Sequence, residues 1–237
     1  MRYITALLFF FAASNYNFLF MSAQTQQEYT YLAIGDSYTI GESVPLQENF
    51  PNQSAAILLK ENIKIIPRII AKTGWTTDEL EAGIIESNAA DTLLSSYDFV
   101  SLLIGVNNQY RGRTADNYKQ EFEELLKKAI RFAGNRPEGV IVLSIPDWGV
   151  TPYAIGRDRA EIAKAIDEYN TANKEITQRY HIQYIDITQW TRESVSDSLL
   201  VAGDGLHPSG KEYKRWAEKV ADWMKESINW LIGRSGN

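Results

Sequence analysis

Tyr31-Leu32-Ala33-Ile34-Gly35-Asp36-Ser37-Tyr38-Thr39 is an apolar run that stops at a glycine and meets a small hydroxyl residue two positions later. Such a run predicts a buried strand, and the glycine predicts a turn that delivers Ser37 into the loop ahead of a helix. A serine in that position is placed as a nucleophile is placed. Its hydroxyl is a poor nucleophile unaided, so the reading requires a base, a residue to orient that base, and donors for a developing oxyanion.

Four further apolar runs follow: Lys64 to Ile70, Phe99 to Ile104, Val140 to Ile145 and Ile182 to Ile187. Helix-like stretches separate them. Short β-branched runs alternating with helices predict βαβ units and a mostly parallel sheet covered on both faces. Pro67 lies inside the second run and pushes it towards a sheet edge, because proline cannot donate to a ladder. Apolar Phe122, Leu125, Leu126, Ala129 and Ile130 recur at helical spacing between Asp116 and Phe132, as do Tyr213, Trp216, Ala217, Val220, Trp223 and Met224 near the end. Those aromatics read as core. Thr76 with Glu79 and Ser209 with Glu212 have the spacing of capping boxes, and Asp158 with Glu161 marks a further helix start.

The longest irregular stretches are 41–51, 107–114 and 146–157, and the last two follow the ends of predicted strands. Loops at the carboxyl ends of parallel strands build the crevice in which such sheets bind ligands. Within them Trp148, Tyr153, Tyr110, Arg111 and Arg113 are candidate contacts for a sugar or an acyl chain. Aromatic faces suit sugar rings, and arginine suits anionic groups.

The chain has 237 residues, 44% of them hydrophobic and 23% charged, which fits one domain with a sizeable core. A formal net charge of −6, with no basic tract to oppose it, argues against a nucleic-acid partner. Residues 1–23 differ from the rest: Arg2, an apolar segment from Ile4 to Ala13, then a more polar stretch ending at Ala23. That is the layout of a secretory signal peptide, followed by a single domain over 24–237, and it places the mature protein in the periplasm or outside the cell. A membrane anchor fits less well, since Asn15 and Asn17 interrupt the run short of the ~20 residues a span needs. No stable membrane insertion is expected after cleavage. Cysteine is absent, so a thiol nucleophile, a thiolate metal site and a lipidated cysteine are excluded.

Two histidines make the search for a base short. His181 precedes the fifth run and so stands at the amino end of its strand, away from the crevice. His207 lies in Asp204-Gly205-Leu206-His207-Pro208-Ser209, just ahead of a helix, with an aspartate three residues earlier across a glycine turn. A carboxylate so placed can hold imidazole Nδ1 and leave Nε2 to take the serine proton. Candidate oxyanion donors are the N–H of Gly74, the side-chain amide of Asn107 and the N–H of Ser37.

Taken in order, Gly35-Asp36-Ser37, Gly74, Gly105-Val106-Asn107-Asn108 and Asp204-Gly205-Leu206-His207 resemble the motif blocks of the SGNH hydrolases, also called GDSL-type esterases and lipases. The resemblance spans most of the chain after residue 23. It implies a flavodoxin-like three-layer α/β/α sandwich with a five-stranded sheet, in agreement with the strand runs. It also implies Ser37 as nucleophile, His207 as base, Asp204 as its orienting acid, and Ser37, Gly74 and Asn107 as the oxyanion hole. Asn108, Trp148 and Tyr110 are then expected beside the substrate. The activity implied is that of a carboxylic ester hydrolase, an esterase or a lysophospholipase-like lipase, requiring neither metal nor cofactor. The ester is expected to be a small molecule, a glycan or a lipid bearing an acetyl or short acyl group.

Two positions depart from the family pattern. Tyr38 stands where leucine is frequent, and Asn108 replaces an aspartate, removing a charge from that loop. Transfer of the acyl group to a sugar hydroxyl would use the same residues as transfer to water. A non-catalytic glycan-binding module on the same fold would be marked by loss of the serine or histidine, and both are present. Phosphoryl transfer finds no phosphate-cradling glycine loop here.

Overall fold

The computed structural model describes residues 27–235. The proposed signal segment therefore lies outside the described residues. Among them, five strands form one sheet: β1 (Glu28–Asp36), β2 (Lys64–Lys72), β3 (Phe99–Leu103), β4 (Val140–Leu143) and β5 (Gln183–Ile185). Their order is β2-β1-β3-β4-β5 and every pairing is parallel. This is the flavodoxin-like order, with helices closing both faces. The helices are α1 (Ser37–Ile40), α2 (Phe50–Leu59), α3 (Thr77–Ala89), α4 (Val106–Tyr110), α5 (Ala115–Phe132), α6 (Arg159–Arg179), α7 (Thr188–Arg192) and α8 (Gly210–Ser235). No described helix is long and apolar enough to cross a membrane.

Burial follows each strand's place in the order. Tyr31 to Ile34 of β1, and all of β3 and β4, are buried, as strands covered on both faces must be. Each fully buried Leu, Ile or Val there contributes about 1.5–3 kcal/mol relative to exposure. β2 is only intermittently buried and lies at an edge, with Pro67 opposite Tyr31. On one face α2 packs against α8, and on the other α5 packs against both α3 and α6. The aromatics of α8 are core, as the spacing predicts: Tyr213 and Trp216 are buried, with Trp216 against Phe50 of α2.

Of the three helix starts read from sequence, two form as expected. Thr76 and Glu79 make a reciprocal capping box on α3, and Asp158 accepts the N–H groups of Ala160 and Glu161 at 3.0 Å. The Ser209 box is a correction. Ser209 Oγ accepts the N–H of Glu212 at a long 3.4 Å, but the Glu212 carboxylate does not reach back. It turns inward to accept from Trp216 Nε1 at 2.9 Å and from Arg215 at 3.0 Å, a buried carboxyl whose pKa is raised by that burial.

Candidate active site

The chain order β1, then β2 on one side and β3 on the other, puts a topological switch beside β1, and ligands bind in the crevice such a switch opens at the strands' carboxyl ends. Ser37, Gly74 and Asn107 follow β1, β2 and β3 respectively, so all three arrive at that end. Ser37 is the first residue of α1 rather than a loop residue. Asp36 caps this short helix, its Oδ1 accepting the N–H of Tyr38 at 3.0 Å, and Gly41 ends it at φ +79°. Gly35 is needed for close approach. A Cβ there would sit 2.3 Å from the carbonyl oxygen of Leu103 on β3 and 2.2 Å from Thr39 Oγ1.

His207 comes from the far end of the chain and is brought to Ser37. The two residues line one cavity of about 140 Å³, together with Gly74, Asn107, Tyr110, Trp148 and Tyr153. The ring of Tyr38, next to Ser37, lies 5.0 Å from the His207 imidazole centre, so the position that departs from the family pattern packs on that ring. Asp204 Oδ2 lies 2.6 Å from His207 Nδ1. Its Oδ1 accepts the N–H groups of Leu206 and His207, both at 3.0 Å, and Ser43 donates to Oδ2 at 2.8 Å.

Burial works to raise the Asp204 carboxyl, but the His207 ring and the Leu206, Ser43 and His207 donors outweigh it and hold the group at about 2. It is therefore ionised at neutral pH, takes the proton-bearing Nδ1 as donor, and leaves Nε2 as the free ring nitrogen. No hydrogen bond joins Ser37 Oγ to His207 among the contacts of the described residues. Resting sites commonly leave this bond long and close it when substrate docks.

The Asn107 amide donates to the carbonyl of Trp75 at 2.9 Å and approaches Asp36 Oδ2 at 3.5 Å. The first contact fixes the amide; the second is long enough to leave its other hydrogen available to an oxyanion. Gly105 starts α4 at φ +131°, where an L side chain is strained and a Cβ would strike the Tyr118 ring at 2.6 Å. Gly74 has φ +83°, and its carbonyl accepts from Arg111 Nη2 at 2.7 Å, which ties down the Gly74–Trp75 peptide next to the Gly74 N–H.

Asn108 is a correction. It does not line the cavity but is fully buried, its Oδ1 accepting the Thr77 N–H at 3.1 Å and its Nδ2 donating to Thr77 Oγ1 at 2.6 Å. Its neutral amide can serve one group as donor and another as acceptor, and that joins α4 to the start of α3. Arg111 and Arg113 are also spent on structure, paired with Glu79 at 3.0 Å and Asp78 at 2.6 Å. The Arg113 partnership holds the Asp78 carboxyl at about 2. Trp148, Tyr110 and Tyr153 do line the cavity. Trp148 is held by Gln109 Oε1, 2.8 Å from its Nε1, and by a turn capped by buried Asp147, itself paired with Arg192 at 2.9 Å. His181, exposed ahead of β5, stands away from the site.

Ser43, Trp75 and Arg157 escaped the sequence reading. Ser43 and the Trp75 carbonyl carry no pattern that singles them out, and Arg157 resembles any other loop arginine. Among the described residues no cluster of three or more His, Asp or Glu side chains is arranged to hold a metal ion.

A parallel 2-1-3-4-5 sheet whose strand ends gather a serine, a glycine N–H, an asparagine amide and an Asp-His pair defines an SGNH-type hydrolase. The profile of the GDSL-like Lipase/Acylhydrolase family matches residues 33–215, and the chain belongs to that family. No curated protein matches the sequence. By structure the chain is similar to TesA, at 17% identity and a TM-score of 0.63, over 84% of this chain and 99% of that one. It is similar to a lipolytic G-D-S-L family member from Veillonella parvula DSM 2008, at 21% identity and a TM-score of 0.63, over 83% and 97%. A third likeness is to Axe2, an acetylxylan esterase from Geobacillus stearothermophilus, at 19% identity and a TM-score of 0.65, over 83% and 94%.

Proposed function

We propose that the protein is an exported serine ester hydrolase that cleaves acetyl or other short-chain esters, with a carbohydrate as the alcohol portion. The observation that carries this reading is the cavity shared by Ser37 and His207, with Asp204 2.6 Å from the imidazole. His207 Nε2 takes the proton of Ser37 Oγ as that oxygen attacks the ester carbonyl. The carbonyl oxygen becomes an oxyanion facing the N–H of Ser37, the N–H of Gly74 and the Asn107 amide. Collapse expels the alcohol, which takes the proton from His207. Water, deprotonated by the same imidazole, then attacks the acyl-serine; the acyl–Oγ bond breaks, the acid leaves, and His207 returns the proton to Ser37 Oγ.

The cavity supports a short acyl group. At about 140 Å³ it is close to the ~150 Å³ of a cavity that takes one benzene ring, which suits a few heavy atoms rather than a long chain. The exposed rings of Tyr110 and Tyr153 at its edge are suited to a sugar, and one structurally similar protein is an acetylxylan esterase. The test is hydrolysis of p-nitrophenyl acetate, butyrate and octanoate by the protein beside Ser37→Ala. Turnover should fall with chain length, and the variant should drop to the background rate. Equal rates from the two proteins would refute Ser37 as nucleophile.

A further inference from the structure

We propose that Arg157 makes the mouth of the catalytic cavity a binding site for an anionic oxygen group, carboxylate or phosphate, carried on the alcohol portion of the ester. The guanidinium carbon of Arg157 lies 5.2 Å from the ring centre of Tyr110, 5.3 Å from Trp148 and 5.9 Å from Tyr153. All three rings line the catalytic cavity. Arg157 Nη2 donates to the Tyr110 hydroxyl at 3.2 Å, and that hydroxyl lies 3.1 Å from the hydroxyl of Tyr153. The cation is thus fixed by three rings and one phenol at the edge of the site.

What the guanidinium lacks is a carboxylate. Arg111, Arg113 and Arg192 each meet an acidic side chain at 3.0 Å or less, whereas no acidic group of the described residues lies within ion-pair distance of Arg157. The neighbouring Asp158 spends its Oδ1 on the N–H groups of Ala160 and Glu161. A guanidinium has five N–H donors in a planar fork, and Arg157 uses one of them on protein. Ring contacts hold its charge without consuming those donors, and the fork matches a carboxylate or phosphate edge. Side-chain entropy is already spent in holding it over the rings, so less is lost when a ligand is bound. Its field reaches the cavity wall, where the Tyr153 hydrogen bond and then the Arg157 charge pull the Tyr110 phenol below its ordinary pKa.

Position decides which part of the substrate meets it. Arg157 borders a second, wider groove of about 550 Å³ between the α4–α5 turn and α6, and Tyr110 and Trp148 line both spaces. A short acyl group fills the smaller cavity, so the alcohol extends past the two shared rings to Arg157. Asp158, Glu161 and Glu168 line the same groove beside and beyond Arg157; Asp158 turns its Oδ1 to the start of α6, and Arg113, the other cation of the groove, is already paired with Asp78, so Arg157 is the groove cation without a carboxylate partner.

This site rests on the ester hydrolase reading, and the experiment separates the two. The probes are 4-acetoxybenzamide, its anionic counterpart 4-acetoxybenzoate, and 4-acetoxyphenyl phosphate. Each is assayed for kcat/KM with the wild type, Arg157→Gln and Arg157→Lys. The ratio of anionic to neutral ester, compared between proteins, cancels intrinsic reactivity. Arg157→Gln should lower that ratio by about tenfold, the order of one charge-assisted hydrogen bond, and Arg157→Lys should retain part of it. The larger loss, with carboxylate or with phosphate, tells which anion the site prefers. An unchanged ratio, or an equal fall with all three esters, would reduce Arg157 to a clamp for the aromatic rings and overturn the proposal. Failure of the wild type to hydrolyse any of them would overturn the hydrolase reading and this site with it.

Discussion

Asp36 is a fully buried carboxyl beside Ser37, and its burial has a measurable consequence. Desolvation raises the group from 3.8 to about 7, against the lowering effect of the Tyr38 N–H and its own N–H. The folded protein therefore holds this proton to higher pH than the unfolded chain does. Below about pH 4 both states are protonated, and the group costs nothing. Between pH 4 and 7 the unfolded chain ionises while the folded one does not, so stability falls as pH rises, by ~1.4 kcal/mol per unit of pH. Above pH 7 the deficit stays near its full size, ~4 kcal/mol, which is large against a total stability of about 5–15 kcal/mol. Asp36→Asn removes the titration, and the amide oxygen can still cap the Tyr38 N–H. Urea unfolding of both proteins at pH 4 and pH 8.5 should show the variant gaining roughly 4 kcal/mol on the wild type between the two pH values. Every other titrating group cancels in that comparison. A stability difference that stays constant with pH would show that Asp36 is not held protonated by burial, and the reasoning would fail.

Two changes in the catalytic cluster follow from its geometry. Asp204→Asn exchanges an ionised acceptor 2.6 Å from Nδ1 for an amide and frees the imidazole to adopt the wrong tautomer, so kcat for p-nitrophenyl acetate should fall by ~10⁴; a loss under tenfold would remove Asp204 from its orienting role. Asn107→Ala deletes one oxyanion donor and should lower kcat by about 10²-fold with KM little changed; a rise in KM at constant kcat would instead make the amide a ground-state contact.

The parts of this fold that were legible in the sequence are those whose signal is local. β4 and the Tyr31–Ile34 stretch of β1 are unbroken apolar runs, β3 is broken only by Ser101, whose buried hydroxyl bonds to the Tyr31 hydroxyl, and α5 keeps its apolar residues on one stripe. The run from Ile182 to Ile187 overstated β5, which pairs only from Gln183 to Ile185. Beyond Ile185 the Asp186 carboxylate accepts the N–H of Thr188, and Ser144 Oγ accepts those of Ile187 and Thr188, so side chains replace the ladder. Site residues divide in the same way. Asp204 and His207 are three positions apart and announce each other, and Ser37 is marked by the strand that ends beside it. The duties of the arginines were not legible, because they depend on partners from other elements. Arg111 and Arg113 have the loop setting of binding residues, yet α3 brings Glu79 and Asp78 against them, while Arg157 meets rings and no carboxylate. Asn108 was misplaced for the same reason: Thr77, 31 residues earlier, claims both ends of its amide.

Ser37 and His207, the proposed nucleophile and base, are carried by different kinds of support. Ser37 is fixed by the sheet, since β1 is paired on both sides, between β2 and β3, and Gly35 lies hard against β3. His207 belongs to no strand; it precedes α8, and its position is set by how α8 docks. That docking goes through α2, the first long helix after the nucleophile. Ser54 Oγ donates to the Ala217 carbonyl at 3.1 Å, Gln53 Nε2 to the Gly210 carbonyl at 2.9 Å, and Phe50 packs on Trp216. Nearer the site, Ser43 reaches Asp204, and the Tyr38 ring meets the imidazole. All five contacts come from residues 38–54, the segment that leaves the nucleophile. The same stretch that presents the hydroxyl therefore also positions the imidazole, which is how groups 170 residues apart hold one geometry without a direct bond between them in the resting site.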